Sequence, residues 1–300
     1  MIAWIPVSIA AAAFQTVRFM LQKILSSVTL SPGGATFARF VYSAPFILCG
    51  LAAYLGISGT ALPALGLQYW AFVVFGGTAQ ILATICTVAL FKQRNFAVGI
   101  TFTKTEVVQT ALVGLVVLGD PVSLWGWVAI LIGLGGVLVL SRAPDAAGAW
   151  WRHLTHRAAL LGLASGVLFA CSAVSYRGAS LQLPELGPAV RAAVTLAAVV
   201  SLQTVLMSAW LGLRQPGEIA RVWAARRVAV WVGLTSMAGS FCWFWAFSLQ
   251  NAAYVKAVGQ VELLLSLLAS VLFFKETVTR REMLGMALLV LSILALVLAG

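Results

Sequence analysis

The sequence predicts an all-α polytopic membrane protein of ten transmembrane helices, arranged as two inverted five-helix repeats. Three observations carry that prediction. Of 300 residues, 62% are hydrophobic and 9% charged, whereas soluble domains are about half apolar and about a quarter charged. Stretches such as Ile2 to Val17 and Phe46 to Val74 hold no charged residue. A backbone immersed in lipid over such lengths must satisfy its polar groups within helices or a closed barrel, and barrel strands alternate in polarity where these stretches do not. Finally, the polar residues that interrupt the apolar pattern recur in the second half of the chain at a fixed offset.

A crossing needs roughly 20 apolar residues. The first span, 2–22, lacks a basic leader and a small-residue cleavage site and is followed by further spans, so it reads as a helix and not as a signal peptide. Spans at 34–56, 68–91, 95–118 and 124–141 complete a first domain, residues 1–141. A linker follows at 142–157, and the second domain, 158–300, holds spans at 158–180, 187–212, 228–249, 251–274 and 283–299.

The basic residues fall in alternate loops: Lys23, then Lys92 and Arg94, then Arg142, Arg152 and Arg157, then Arg214, Arg221, Arg226 and Arg227, then Lys275, Arg280 and Arg281. The positive-inside rule makes those loops, the linker among them, cytoplasmic and both termini extracytoplasmic, in the inner (plasma) membrane. The net charge of +11 therefore reads as orientation in the bilayer and not as a nucleic-acid surface. Trp4, Trp70, Trp125, Trp210 and Trp231 lie near span ends and fit an interfacial belt. The stretches 147–157 and 218–227 have the pattern of short amphipathic helices on the inner surface.

Sliding the chain by 156 residues superimposes the third and fourth spans on the eighth and ninth without a gap: Gly77 on Gly233, Cys86 on Cys242, Asn95 on Asn251, Glu106 on Glu262, Asp120 on Glu276. Apolar matches come easily in such a chain; Asn, Glu and an acid matching in one register do not. Pro32 with Pro184 and Arg39 with Arg191 align at an offset of 152, and Gly126 with Gly285 at 159. An odd number of spans per repeat sends the second copy into the membrane from the opposite side, the architecture of many secondary transporters.

The run LGDPVSLWGWVAILIGLGGVLVL, Leu118 to Leu140, and its partner FFKETVTRREMLGMALLVLSILALVL, Phe273 to Leu298, resemble the repeated end of the EamA domain of the drug/metabolite transporter superfamily. The resemblance implies a ten-helix basket that carries amino acids or other small metabolites, often outward. It also implies a central cavity walled by the first, third and fourth helices of each half. The chain departs from the pattern where many relatives carry proline thirteen residues before the acidic residue of the motif, holding Val107 and Leu263 there. A proline-based kink is accordingly not expected.

Glu106 in the fourth span and Glu262 in the ninth lie about eleven residues from the Asn that starts each helix, near mid-membrane by the helical rise, and Lys104, Gln109, Lys256 and Gln260 share those helices. An ionisable group there costs at least about 2.5 kcal/mol and so marks a pathway or a buried pair. Both readings stand: substrate or proton path, or structural ion pairs joining the halves. Glu106 is 200° around an ideal helix from Lys104, so these helices are polar on two sides and must be enclosed. Trp243 and Trp245, in an eighth span aromatic on all sides, are candidate cavity-wall residues, with core packing as the alternative.

Arg18, Arg39, Arg177 and Arg191 sit nearer span ends, where snorkelling accounts for them. Gly133 and Gly136 suit close helix contact, and Asn95 and Asn251 suit helix N-caps. Cys49, Cys86, Cys171 and Cys242 read as small buried residues, and HLTH at His153 to His156 lacks the further ligands of a metal site. No GxxxxGK[ST] loop is present, so ATP-driven transport by this chain is not expected. An intramembrane enzyme is a rival reading, with Glu106 or Glu262 as its acid or base, but no nucleophile is paired with a base. The expectation is a secondary transporter without cofactor or metal, most plausibly an amino-acid exporter, with a small-molecule substrate, the lipid bilayer and candidate coupling protons as its partners. A multidrug or quaternary-amine carrier is the alternative.

Overall fold

Leucine-rich and alanine-rich runs without interior charge form the regular structure, which is helical throughout the residues that the computed structural model describes, 3–90, 103–140, 157–265 and 280–299. The first half contains α1 (Trp4–Val28), α2 (Pro32–Val41), α3 (Ala44–Ser58), α4 (Leu67–Leu90), α5 (Glu106–Leu118) and α6 (Leu124–Leu140). The second contains α7 (Arg157–Leu181), α8 (Pro188–Arg214), α9 (Glu218–Ala224), α10 (Arg226–Leu249), α11 (Ala252–Gly259) and α12 (Arg280–Ala299). Six segments among the described residues are long and apolar enough to cross a membrane, and α5, α6 and α12 are shorter apolar helices. Large apolar side chains such as Ile57, Leu67, Val116 and Leu213 are exposed at more than four-fifths of their surface, which suits lipid as the surrounding solvent.

Three of the expected spans are broken. The second divides into α2 and α3 around Tyr42 and Ser43. Pro45 cannot donate back to Val41 and its ring crowds that carbonyl, while the Ser43 hydroxyl donates to the carbonyls of Arg39 and Phe40. The fourth turns at Lys104 and Thr105 before α5 begins, and the ninth turns at Gln260 between α11 and the helical residues 261–265. These breaks need no proline. Thr103 and Thr105 are poor helix formers on one side, and Gly259 is the weak point on the other.

Packing follows small residues. α4 lies against α7, with Gly76 facing Ser175 and Tyr176 and Gly178 facing Phe72, and α1 lies against α10, with Gly239 facing Phe14. α6 pairs with α12, where a Cβ on Gly136 would meet the Gly285 carbonyl oxygen at 2.9 Å. Exchanging first and second halves maps the α4 and α7 contact onto that of α10 and α1, and maps the α5 contact with α7 onto that of α11 with α1. The core therefore lies between the halves.

The two ends of the bundle are tied by polar contacts. At one, Ser31 caps α2 by accepting from the Gly34 N–H and donating to Gln215. Glu218 of α9, 2% exposed, accepts from the Ser31 N–H at 2.6 Å. At the other, Gly119 ends α5 in the left-handed region at φ 66°, a conformation glycine adopts without strain, and this presents Asp120 to Arg177. The Arg177 guanidinium also donates to the Asp120 carboxylate at 3.2 Å and to the carbonyls of Phe247 and Gln250.

Several expectations change. Trp4 is buried at 6% exposure and joins the core, while Trp70, Trp125, Trp210 and Trp231 are exposed as a belt requires. Cys49 is exposed and the other cysteines are half-buried, all of them free thiols. Helix α9 forms as expected and turns Trp223 outward. Residues 141–156, with His153 and His156, and the loop residues Lys92, Arg94, Asn95 and Lys275 lie outside the described residues.

Candidate functional site

The helix breaks converge on one polar layer in the middle of the bundle. Asn251 caps α11 by accepting from the Ala253 N–H, and its amide also donates to the Pro121 carbonyl. This fixes where Lys256 falls, two-thirds of the way along the short helix. Gly259 then lies against the Trp243 ring of α10, so close that a Cβ there would overlap the indole. After the turn at Gln260 the chain re-enters helix and presents Glu262.

In the first half the turn at Lys104 and Thr105 has a comparable effect. An unbroken helix would aim Lys104 and Glu106 to opposite sides, yet both line one small space together with Gln15, Val107, Trp243, Lys256, Gly259, Gln260 and Glu262. The turn removes the angular separation that helical geometry imposes.

Two ion pairs cross this layer, each joining a lysine of one half to a glutamate of the other. Lys104 Nζ lies 3.0 Å from Glu262 Oε2, their side chains 9% and 10% exposed. Lys256 Nζ lies 3.5 Å from Glu106 Oε1, with 8% and 12% exposure. Glu262 also accepts from Gln15 Nε2 at 2.9 Å, and Gln15 Oε1 accepts from the Trp243 indole N–H at 3.0 Å. Lys256 stands 4.7 Å over the Trp243 ring and 5.6 Å from that of Phe169, a desolvated cation on aromatic faces. The space between the pairs is too tight for a water molecule. A neighbouring space of about 20 Å³, lined among others by Arg39, Gln80, Ser240, Trp243, Phe247 and Lys256, has room for about one. The layer is closed in this conformation.

Of the residues singled out in the sequence, Lys104, Glu106, Lys256, Gln260, Glu262 and Trp243 meet here. Gln260 Oε1 is buried without a hydrogen-bond partner. Gln109 and Trp245 stand apart: the Gln109 amide donates to the Thr105 hydroxyl at 3.1 Å, and the Trp245 ring tilts against Phe241 at 5.8 Å.

Snorkelling fails for two arginines. Arg39 is 4% exposed, and its guanidinium donates to Ser236 at 2.8 Å, Thr84 at 3.0 Å and Ser240 at 3.2 Å. Arg18 is 2% exposed, donates to the Gln22 amide oxygen at 2.9 Å and lies 4.2 Å from the Phe19 ring. The α2–α3 break allows α2 to lie inside the bundle and not along its rim, which places Arg39 among α4 and α10. Gln15, Arg18 and Arg39 are polar members of the layer that the sequence did not place there. A lone amide on an apolar helix has no periodic signal, and Arg39 looked like an end-of-span residue because the break was not foreseen.

Residues 156–298 match the family model described as the EamA-like transporter family. No curated protein matches the chain. Among solved structures 28 chains match; one crystal structure superposes with a TM-score of 0.71 at 16% identity, covering 99% of this chain and 96% of its own. At that identity the likeness shows a shared fold over the full length. Over residues 156–298, close to half of its length, the chain is similar to the EamA-like transporter family.

Proposed function

We propose that the protein is a secondary transporter of ten spans that moves small metabolites, amino acids first among them, outward across the inner membrane. Its two inverted repeats, residues 1–141 and 158–300, would exchange an opening between the two faces by alternating access. The similarity of residues 156–298 to the EamA-like transporter family supports the membrane-transport part of this reading. The observation that carries the site is the pair of crossed lysine–glutamate contacts, supplied by both halves and closing a polar layer at the repeat interface. Inverted-repeat transporters place substrate at that position. An amino acid brings a carboxylate and an ammonium, and the layer offers partners for each in Lys104, Lys256, Glu106 and Glu262.

A carrier of quaternary amines would need aromatic and acidic side chains facing the cavity with the lysines turned away. Here Lys256 itself occupies the aromatic faces of Trp243 and Phe169, so the amino-acid reading is the better supported. Counterflow in proteoliposomes tests it: protein preloaded with unlabelled amino acid should accumulate the labelled one. Accumulation of quaternary amines alone would reverse the choice. An imposed pH gradient during the same assay separates proton coupling from facilitated diffusion. A C-terminal reporter active only in a periplasmic format would support extracytoplasmic termini, and activity only in a cytoplasmic format would overturn them.

A further inference from the structure

The central layer carries an unbalanced charge. Four cationic side chains are buried there, Arg18, Arg39, Lys104 and Lys256, all at 7% exposure or less. Two carboxylates face them, and both are engaged: Glu106 with Lys256, Glu262 with Lys104 and Gln15. Glu262 is the carboxylate within electrostatic reach of Arg18, which also feels Arg39. Among the described residues neither arginine forms an ion pair. A buried cation whose partners are neutral hydroxyls, an amide and a ring is poorly compensated, and inside a bilayer such a group is costly.

The site around Arg39 is built to receive a negative group. Three of its five N–H donors are taken by Ser236, Thr84 and Ser240, which leaves two for another acceptor. The Thr84 hydroxyl donates to the Gln80 carbonyl, whereas Ser236 and Ser240 accept from Arg39 and keep their own O–H free to donate. Arg39, Ser240, Gln80 and Lys256 border the small space beside Trp243. Tyr176 stacks on Phe244 at 4.2 Å and Trp243 on Phe247 at 5.9 Å along the same wall. A guanidinium with serine hydroxyls next to flat apolar rings matches a carboxylate on an aromatic or branched apolar body.

We infer that the transported species is an organic anion, its carboxylate taken by Arg39 with Ser240 and its apolar body by the aromatic wall. The inference rests on the transport reading above and narrows its substrates to amino-acid derivatives and related carboxylates of net negative charge. In this closed conformation the two carboxylates are each held by a lysine, which a substrate ammonium would have to displace, whereas the arginine charge is open to an acceptor.

Three probes with one ring and three net charges test it: N-acetylphenylalanine (anion), phenylalanine (zwitterion) and phenylalaninamide (cation). Thermal stabilisation of the purified protein in detergent reports binding, and counterflow in proteoliposomes reports movement. Stabilisation by the anion at about tenfold lower concentration than by the zwitterion is expected because the zwitterion must bury an ammonium among uncompensated cations, and the cation, which also lacks the carboxylate, should stabilise least. Arg39→Gln should erase that order. Arg39→Lys, which keeps the charge but not the fork, should keep part of it, and Ser240→Ala provides a milder lesion should either arginine variant fail to fold. Binding and flux that favour the zwitterion or the cation, or an order unchanged in Arg39→Gln or, where that variant does not fold, in Ser240→Ala, would overturn the inference and leave the transport reading intact. No binding and no flux for any of the three would overturn the inference, while the transport reading is decided separately by counterflow of other amino acids and quaternary amines.

Discussion

Replacing Glu262 by glutamine keeps the shape of the side chain and removes its charge. Gln15 retains an acceptor, but Lys104 Nζ loses the anion at 3.0 Å and its side chain, 9% exposed, has no water to turn to. Glu106 cannot substitute, because it already faces Lys256. Breaking a buried pair from one side costs about 3–5 kcal/mol in soluble proteins, and Glu262→Gln should lose stability in that range. Lys104→Met should be comparably damaging, since it strands the carboxylate with Gln15 alone. The double variant should recover much of the loss, with a coupling of about 0.5–3 kcal/mol. Thermal unfolding in detergent micelles reads this directly, with the half-buried thiols of Cys86, Cys171 and Cys242 as reporters that react on unfolding. Glu106→Gln provides the internal control. Its contact with Lys256 is longer, 3.5 Å, and Lys256 keeps the ring faces of Trp243 and Phe169, so its loss should be smaller by about 1–2 kcal/mol. A double variant whose loss equals the sum of the two single losses would refute the pairing as an energetic unit.

Two further perturbations probe the surroundings of the layer. Gly259→Ala places a methyl group against the Trp243 ring, which must shift and loosen its 3.0 Å bond to Gln15; a loss of about 1–3 kcal/mol is expected, with a change in tryptophan emission, and an unaltered spectrum and midpoint would contradict the close approach. Asp120→Asn should cost about 1–3 kcal/mol, less than Glu262→Gln, because Arg177 keeps the carbonyls of Phe247 and Gln250; a loss exceeding that of Glu262→Gln would show that this end, and not the centre, holds the halves together.

Most helix positions were readable in the sequence because each stems from a long apolar run, and the described limits of α4, α6, α7, α8 and α10 lie within two residues of the expected spans. The polar centre was readable in part for a related reason: a charge in lipid stands out against its neighbours, so Lys104, Glu106, Lys256 and Glu262 were visible one at a time. Partnership was not visible. Helical geometry set Lys104 and Glu106 on opposite sides, and only a turn at Lys104 and Thr105 brings both to one space. The threonines flanking Lys104 and the glycine before Gln260 were the available signals of those turns, weak ones because tertiary packing readily overrides propensity. Arg39 was misplaced by the same kind of omission, since its depth depends on the α2–α3 break. That break did have a signal in Pro45.

The offset of 156 makes Glu106 and Glu262 equivalent, but not their partners: Lys104 aligns with Gln260, and Lys256 with Ile100. The layer is therefore two-fold in its carboxylates and asymmetric in its cations. Arg39 repeats the asymmetry. Its counterpart Arg191, at an offset of 152, sits on the unbroken α8 and donates to the carbonyls of Leu186 and Pro184, while Arg39 sits inside the bundle on the broken α2. If the proposed alternating access operates on this chain, the two ends of its cycle thus cannot be mirror copies in energy. Separating Lys256 from Glu106 opens the longer contact and leaves the lysine on aromatic faces, whereas separating Lys104 from Glu262 also disturbs the Gln15 and Trp243 bonds. The first separation is the cheaper one. Opening of the closed layer should start at the Lys256 side, beside Trp243 and next to the space that Arg39 lines, which is where an entering anion would meet it.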